Sequence, residues 1–343
     1  MSLATKYRPN EFEEVCGQQS IIDILNRQVE IRKFSNCYLF SGPSGCGKTT
    51  LARIFARKIN NNQGNPIELD AASNNGVDNV RNIITEARER SLDSEYKVFI
   101  IDECHMITNA GWNAFLKCIE EPPKYTIFIF CTTDPQKIPA TILNRVMKFA
   151  VSKIPSVLIE RKLNDICFAE NINIDDGSIK YITKISNGGM RDAIAALDKI
   201  YQYSNIIDVN LTVLILGNYS YDSMFDLTNS IIDGNKMGVV SIIENLYSNG
   251  TDLKIFVDEY IDFVLDLTKY TVLRSGESLS IPQQYVTADP NNSRSVMYTT
   301  GIENGTVFFN KLLDKLMDAK LILRTDSSIK TTLIVLLLKI CGE

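Results

Sequence analysis

Histidine occurs once in 343 residues and C-x-x-C spacing not at all, and these two shortages remove whole classes of chemistry. The lone His105 leaves almost no scope for a histidine-based triad or metal cluster. The eight cysteines (16, 37, 46, 104, 118, 131, 167 and 341) are scattered, several inside apolar runs where a thiol behaves as a small hydrophobe. Neither a disulfide framework nor a zinc site is expected. Long hydrophobic runs are also missing: Ile127–Cys131 and Leu333–Leu338 fall far short of the ~20 residues needed to cross a bilayer. The N-terminus turns polar from Thr5 and carries no signal-peptide core, so the expectation is a cytoplasmic protein without a membrane partner. There is no low-complexity tract, and 45% hydrophobic with 22% charged residues is an ordinary globular composition, long enough for two or three domains. Positive charge is not in excess either. Net charge is −5, with 19 Lys+Arg against 17 Asp+Glu in residues 1–155 and 17 against 24 in the remainder. A protein that coats DNA by bulk charge is far more basic, so any nucleic-acid contact must be local or assembled from several subunits.

What the chain does have is concentrated at Gly42-Pro43-Ser44-Gly45-Cys46-Gly47-Lys48-Thr49, which fits G-x-x-x-x-G-K-[ST] without a mismatch. An apolar run, Cys37–Ser41, leads in, and a helical pattern leaves through Thr50 and Leu51. The glycines let successive N–H groups turn inward as an anion nest, and the new helix aims its positive end at the same spot. Lys48 reaches the outer phosphates, and the Thr49 hydroxyl offers a magnesium coordination site. A glycine-rich surface turn is the bland alternative, and the order strand, loop, Lys-Thr, helix argues against it.

Taken in order, Ser20 reads as the cap of a helix over Ile21–Arg32, with Ile21, Ile24, Leu25 and Gln28 on one face. After the phosphate loop come a helix (Thr49–Asn60, with Leu51, Ile54 and Phe55 inward) and a turn to Pro66. A short strand (Ile67–Asp70) and a helix over Val77–Arg90 follow. Lys97–Ile101 and Tyr125–Cys131 are continuous apolar strands of the kind buried on both faces of a parallel sheet, separated by a helix over Gly111–Glu120 that Pro122-Pro123 stop. Strands alternating with helices predict a parallel α/β sheet with right-handed crossovers, and ligand at the carboxyl ends of its strands, where Gly42, Asp102 and Thr132 fall. From Pro155 the pattern is helical only. Ser156–Glu170, Ser178–Ser186 and Met190–Ser204 form a three-helix unit, and a second helical block begins near Tyr221. That block includes Leu253–Val264 at helical spacing, a polar loop over Arg274–Tyr298, and a closing helix, Ile329–Ile340, apolar nearly all round.

Hydrolysis of a terminal phosphate needs a held magnesium, an aligned water and positive charge on the γ-phosphate. Asp102, at the end of a buried strand, is placed to bind magnesium directly or through water, and Glu103 is the candidate base. Thr132 or Thr133, at the end of the neighbouring strand, is a candidate to hold the water or the γ-phosphate. His105 reads as a structural residue near the acidic pair. Trp112 and Cys46 read as packing residues, with Cys46 a point at which oxidants would reach the loop.

Several segments then occur in a telling order: Lys6-Tyr7-Arg8-Pro9, the phosphate loop, Asp102–Met106, Leu116–Pro123 with its Glu-Glu-Pro-Pro, Thr132–Pro139 and Gly189–Ala193. The series resembles the clamp-loader ATPases of the AAA+ class, in the gamma/tau branch of bacterial DNA polymerase III. It is dense over residues 1 to about 205 and rests beyond that on length and helical character. The resemblance implies a P-loop α/β domain (1–154), a three-helix lid (155–215) and a helical collar that oligomerises (216–343). It implies ATP and magnesium as cofactors. It further implies a pentameric assembly with like or related subunits, a sliding clamp and primer–template DNA as partners. The family's arginine finger, set in Ser-Arg-Cys, matches Asn144-Arg145-Val146, so Arg145 would act in the next subunit's site; a surface arginine in a salt bridge is the plain alternative. Arg191 matches the second sensor, and Tyr7, Arg8, Pro9 and Val15 match the segment around adenine. Arg81, Arg88 and Lys117 are candidates for a DNA-facing surface, or simply solvated helix positions.

The sequence also departs from that family. The four-cysteine zinc module that usually follows the phosphate-loop helix is replaced by Asn60–Pro66, so no zinc is expected, and with the sequence ending at Glu343 the long tail of the longer bacterial form is not expected either. Two other functions are open at this stage: a DNA motor of the same class, such as a branch-migration helicase, and a non-catalytic assembly subunit, against which Lys48, Asp102, Glu103 and Arg145 argue.

Overall fold

The computed structural model describes residues 2–217, 219–273, 276, 279, 281–323 and 328–341, the side chains of 283 and 284 excepted. The chain divides into two units, one of residues 1–170 and 182–198, the other of 171–181 and 199–343.

The first unit is built on a five-stranded sheet, all parallel, in the order β2 (Ile67–Asp70), β3 (Lys97–Asp102), β4 (Thr126–Thr132), β1 (Cys37–Ser41), β5 (Met147–Ala150). Period-two alternation divides its apolar side chains between two layers. Tyr38, Phe40, Val98, Ile100, Ile127 and Ile129 face one way, joining Ile21, Ile22 and Leu25 of α2 (Gln19–Ile31), which follows the short α1 (Leu3–Lys6), and Leu51, Ile54 and Phe55 of α3 (Lys48–Ile59). Leu39, Phe99, Ile101, Phe128 and Phe130 face the other, joining Val80, Ile83 and Ala87 of α4 (Val77–Ala87) and Trp112 and Phe115 of α5 (Asn109–Glu120). Both faces are covered, which is why β3 and β4 read as unbroken apolar runs. Trp112 is among the largest fully buried side chains, packed on Phe115 and Phe130 as expected of a core residue.

Several details differ from the sequence reading. β5 was not anticipated: it is an edge strand with only Phe149 of its four residues buried, too little apolar pattern to register. Helix α2 starts before Ser20, on a left-handed Gln18 whose carbonyl accepts from Ile21 and Ile22, so Ser20 is not the cap. The buried stripe of α2 is Ile21, Ile22 and Leu25, while Ile24 is 45% exposed. Helix α5, by contrast, has a side-chain cap, Thr108, accepting from Gly111 N–H. Past the short α6 (Ala140–Leu143), α7 (Ser156–Glu170) occupies its expected span and buries Ile159, Leu163 and Ile166. Helices α8 (Asp176–Ile185) and α9 (Met190–Tyr201) follow, α9 ending a few residues before the expected Ser204.

The second unit holds a two-residue parallel pair, β6 (Asn173–Ile174) with β7 (Ile206–Ile207), and then helices. The long ones are α11 (Tyr221–Ile232), α12 (Lys236–Ser248), α13 (Leu253–Leu273), α16 (Gly305–Leu323) and α17 (Ile329–Ile340), after the shorter α10 (Val209–Gly217). α13 packs along α16, with Leu253, Phe256, Val257, Tyr260, Ile261 and Val264 buried as their spacing predicts. α17 keeps its expected bounds but buries a single stripe, Leu333, Leu337 and Ile340, leaving Val335 exposed. The polar loop expected over Arg274–Tyr298 begins outside the described residues; where described it carries α14 (Gln283–Val286) and α15 (Val296–Thr300). Arg294 ties this segment to α11 through Asp222 and Asp226. Among the described residues no helix is long and apolar enough to cross a membrane.

Candidate nucleotide site

The carboxyl ends of β1, β3 and β4 lie side by side, Ser41 paired with Thr132, and the loop Gly42–Gly47 rises from this edge. Its first residue is fixed by closeness: a Cβ at Gly42 would come 2.0 Å from the Val151 carbonyl oxygen. Its last is fixed by conformation, since Gly47 has φ +101°, a value that favours glycine. Between them, Gly45 abuts the start of α9, where Arg191 N–H donates to the Gly45 carbonyl at 3.3 Å. Cys46 Sγ lies 3.4 Å from the carbonyls of Ser44 and Gly188.

Lys48 is a buried cation, 6% exposed, and its Nζ donates to the carbonyls of Gly42 (2.9 Å) and Pro43 (2.8 Å). One turn into the site, the Thr49 hydroxyl donates to Asp102 Oδ2 at 2.8 Å, and Asp102 Oδ1 accepts from Glu103 N–H at 3.0 Å. A hydroxyl and a carboxylate side by side, at the edge of an anion nest, are the hard oxygen donors that suit magnesium bound with a phosphate. Glu103 follows with φ +46°, and its Oε2 accepts from Thr133 Oγ1 at 3.2 Å.

One cleft gathers Tyr7, Arg8, Pro9, Val15, Ser44–Thr50, Asp102, Glu103 and Arg191. These residues lie far apart in sequence, and all belong to the first unit. Gly42 and Pro43 border it through Lys48. Arg191 opens α9, and its guanidinium makes no hydrogen bond or ion pair among the described residues. The Tyr7 hydroxyl donates to Glu170, which also pairs with Lys6 at 2.6 Å, pinning the N-terminal segment to the end of α7. That hydrogen bond, more than burial, raises the Tyr7 hydroxyl above its ordinary pKa. The Lys6 and Tyr7 hydrogen bonds hold the Glu170 carboxyl below its own.

Thr132 and Thr133 are not in the cleft wall but stand behind it. Thr132 is fully buried, with Oγ1 accepting from Asp134 N–H at 3.0 Å, while Thr133 reaches Glu103. Arg145 is apart from the cleft: it pairs with Glu120 at 2.8 Å and donates to the Thr141 carbonyl at 2.7 Å, with 40% of its side chain exposed. That plain salt bridge is thus present. Between half-exposed partners it contributes only about 0–1 kcal/mol, so it holds the arginine weakly. Arg81 pairs with Asp78, while Arg88 and Lys117 are exposed. Cys46 corrects one expectation. It is 1% exposed and burial raises its thiol pKa, so it is a packed, unreactive group and not a point of oxidant entry.

The cleft also includes residues that sequence reasoning missed, among them Cys16, Ile154, Lys162 and Ile194. Lys162 brings a cation from α7, and no motif marks it, because helical periodicity shows only that it lies off the buried stripe.

A parallel sheet of this order with a glycine-rich loop after β1 and an acidic pair after β3 is the P-loop NTPase fold of the AAA+ class. Solved structures of the Thermotoga maritima RuvB Holliday junction branch migration motor share it at TM-score 0.52 and 20% identity, over 66% of this chain and 80% of that one. Two family patterns match: "DNA polymerase III, delta subunit" over residues 67–155, and "DNA polymerase III subunits gamma and tau domain III" over residues 207–293. The DNA polymerase III subunit tau of Bacillus subtilis is 37% identical over 77% of this chain and 51% of its own length. The gamma/tau subunit of Mycoplasma genitalium is 34% identical over 79% and 49%. The chain belongs to the DNA polymerase III gamma/tau family. It spans about half the length of these curated relatives. The match over 207–293 extends the likeness into the helical region, where spacing alone carried no family signal.

Proposed function

We propose that this chain is an ATPase subunit of a DNA polymerase sliding-clamp loader. ATP binding assembles it with other subunits around primer–template DNA and opens the clamp, and hydrolysis releases both. The observation that carries this reading is the meeting of Thr49 and Asp102 at 2.8 Å under the Lys48 loop, with Glu103 beside them in the same cleft. In this reading Gly42–Thr50 cradle the phosphates, Lys48 neutralises them, and Thr49 and Asp102 hold magnesium, which when bound offsets phosphate charge. Glu103 takes the proton of the attacking water, and Thr132 or Thr133, at the end of β4 behind the cleft wall, supports the group that holds it. Tyr7, Arg8, Pro9 and Val15 surround the base. Arg191 links the start of α9 to the nucleotide of its own chain. Residues 1–154 act as the ATPase domain, 155–215 as the lid and 216–343 as the collar of a pentameric assembly working in the cytoplasm.

Turnover by the chain, reconstituted with its loader partners, is expected to rise when primed DNA and clamp are added together. A rate indifferent to both counts against the loader and leaves the motor and the assembly subunit; the likeness to RuvB supports the fold alone. Arg145 acts on the neighbouring subunit in this reading, and an arginine of this kind supplies about 10³–10⁵ in rate. Arg145→Ala is therefore expected to bind ATP normally and turn it over slowly. Mixing it with Lys48→Ala protein is expected to restore part of the rate, since some interfaces then pair an intact cleft with an intact arginine. Absence of recovery at every mixing ratio counts against action across an interface.

A further inference from the structure

Neighbouring residues of a strand point to opposite faces, yet Asp102 and Glu103 both line the cleft. The chain leaves β3 through Glu103 in the left-handed region, φ +46°, uncommon for a residue with a side chain. Such a backbone persists only when its surroundings over-determine it. Here they do so from three sides. Asp102 Oδ1 accepts the Glu103 N–H, Thr133 donates to Glu103 Oε2 at 3.2 Å, and His105 Nδ1 stands 3.3 Å from that same oxygen. Glu103 Oε1 makes no hydrogen bond or ion pair among the described residues.

His105 also touches the end of β4, with Nδ1 3.1 Å from Thr132 Oγ1, and only 12% of its side chain is exposed. A carboxylate only accepts hydrogen bonds, so the contact with Glu103 is attractive when Nδ1 carries the hydrogen. Nδ1 makes its hydrogen bond to Thr132 Oγ1, and Glu103 Oε2 lies beside that nitrogen at 3.3 Å, within ion-pair reach. The imidazole bridges the last residue of β4 and the carboxylate that follows β3.

We propose that His105 is a positioning residue for Glu103. With Thr133 it anchors Oε2, fixing the carboxylate in the direction set by the left-handed backbone and leaving Oε1 to the attacking water. The inference rests on the base role given to Glu103 above. His105 makes no hydrogen bond to Lys48, Thr49 or Asp102, so it belongs to the geometry of hydrolysis and not to nucleotide affinity.

The test is steady-state magnesium–ATP turnover by the full chain with its loader partners, comparing wild type, Glu103→Gln, His105→Ala and His105→Asn. Loss of one anchor on a catalytic group is expected to lower kcat about tenfold or more in His105→Ala, with KM within about twofold. His105→Asn, whose amide nitrogen reaches the Nδ1 position, is expected to recover most of the loss. Adding Thr133→Val to His105→Ala is expected to reduce kcat further, because Oε2 then has no anchor. His105→Ala turning over at the wild-type rate or faster, a rise in KM as large as the fall in kcat, or no recovery in His105→Asn each overturns the proposal. A wild-type chain that does not turn over ATP, or a Glu103→Gln chain as active as wild type, removes the base role and His105's role with it. A wild-type-like His105→Ala beside an inactive Glu103→Gln removes only the latter.

Discussion

Glu103→Gln is expected to leave ATP binding within a few-fold of wild type and to lower turnover by about 10²–10⁴, the usual contribution of a general base. The two effects separate because the groups separate. Affinity comes from the loop N–H groups, Lys48, Thr49 and Asp102, and none of the hydrogen bonds among Lys48, Thr49 and Asp102 runs through the Glu103 side chain. The amide is isosteric and still accepts from Thr133, so the left-handed turn persists, but it has no basic oxygen for a water proton. Measuring nucleotide affinity by equilibrium titration and turnover by phosphate release decides the matter; equal losses in both would withdraw the base role.

Lys48→Ala has the opposite signature, loss of binding itself. Charge-assisted hydrogen bonds from a buried cation contribute about 1.5–3 kcal/mol each, so the one N–H left for a phosphate oxygen beside the two loop carbonyls corresponds to about 10- to 150-fold in Kd. The same Nζ satisfies the carbonyls of Gly42 and Pro43, so the variant also leaves two loop acceptors without their donor. A thermal melt should therefore show a modest loss in the free protein, and the large effect should appear only in nucleotide titration. Affinity unchanged by Lys48→Ala would place the nucleotide elsewhere.

How much of this was readable beforehand depends on where each signal lies. The phosphate loop, both central strands and the Asp102-Glu103 pair are contiguous in sequence, and contiguous chemistry survives as pattern. α7 and α17 matched their expected bounds because apolar residues recur along the whole of each. β5 left no trace because an edge strand buries one side chain of its four. Ser20 misled as a cap because a left-handed Gln18 starts the helix sooner, and φ is not written in residue type. The Arg145–Glu120 pair and the burial of Cys46 are contacts between segments brought together only by folding.

The kind of chemistry is written in the chain: eight consecutive residues whose backbone freedom, lysine and hydroxyl suit a phosphate, and two carboxylates at the end of an apolar strand. Tertiary structure decided what those groups face. It set Thr49 against Asp102, turned Glu103 back towards Thr133 and His105, and brought Lys162 and Arg191 to the same cleft while holding Arg145 apart from it. The reason is physical. Residue types fix which bonds a side chain is able to make, whereas partners are chosen by the packing of a sheet between two helical layers, which no local stretch of chain encodes.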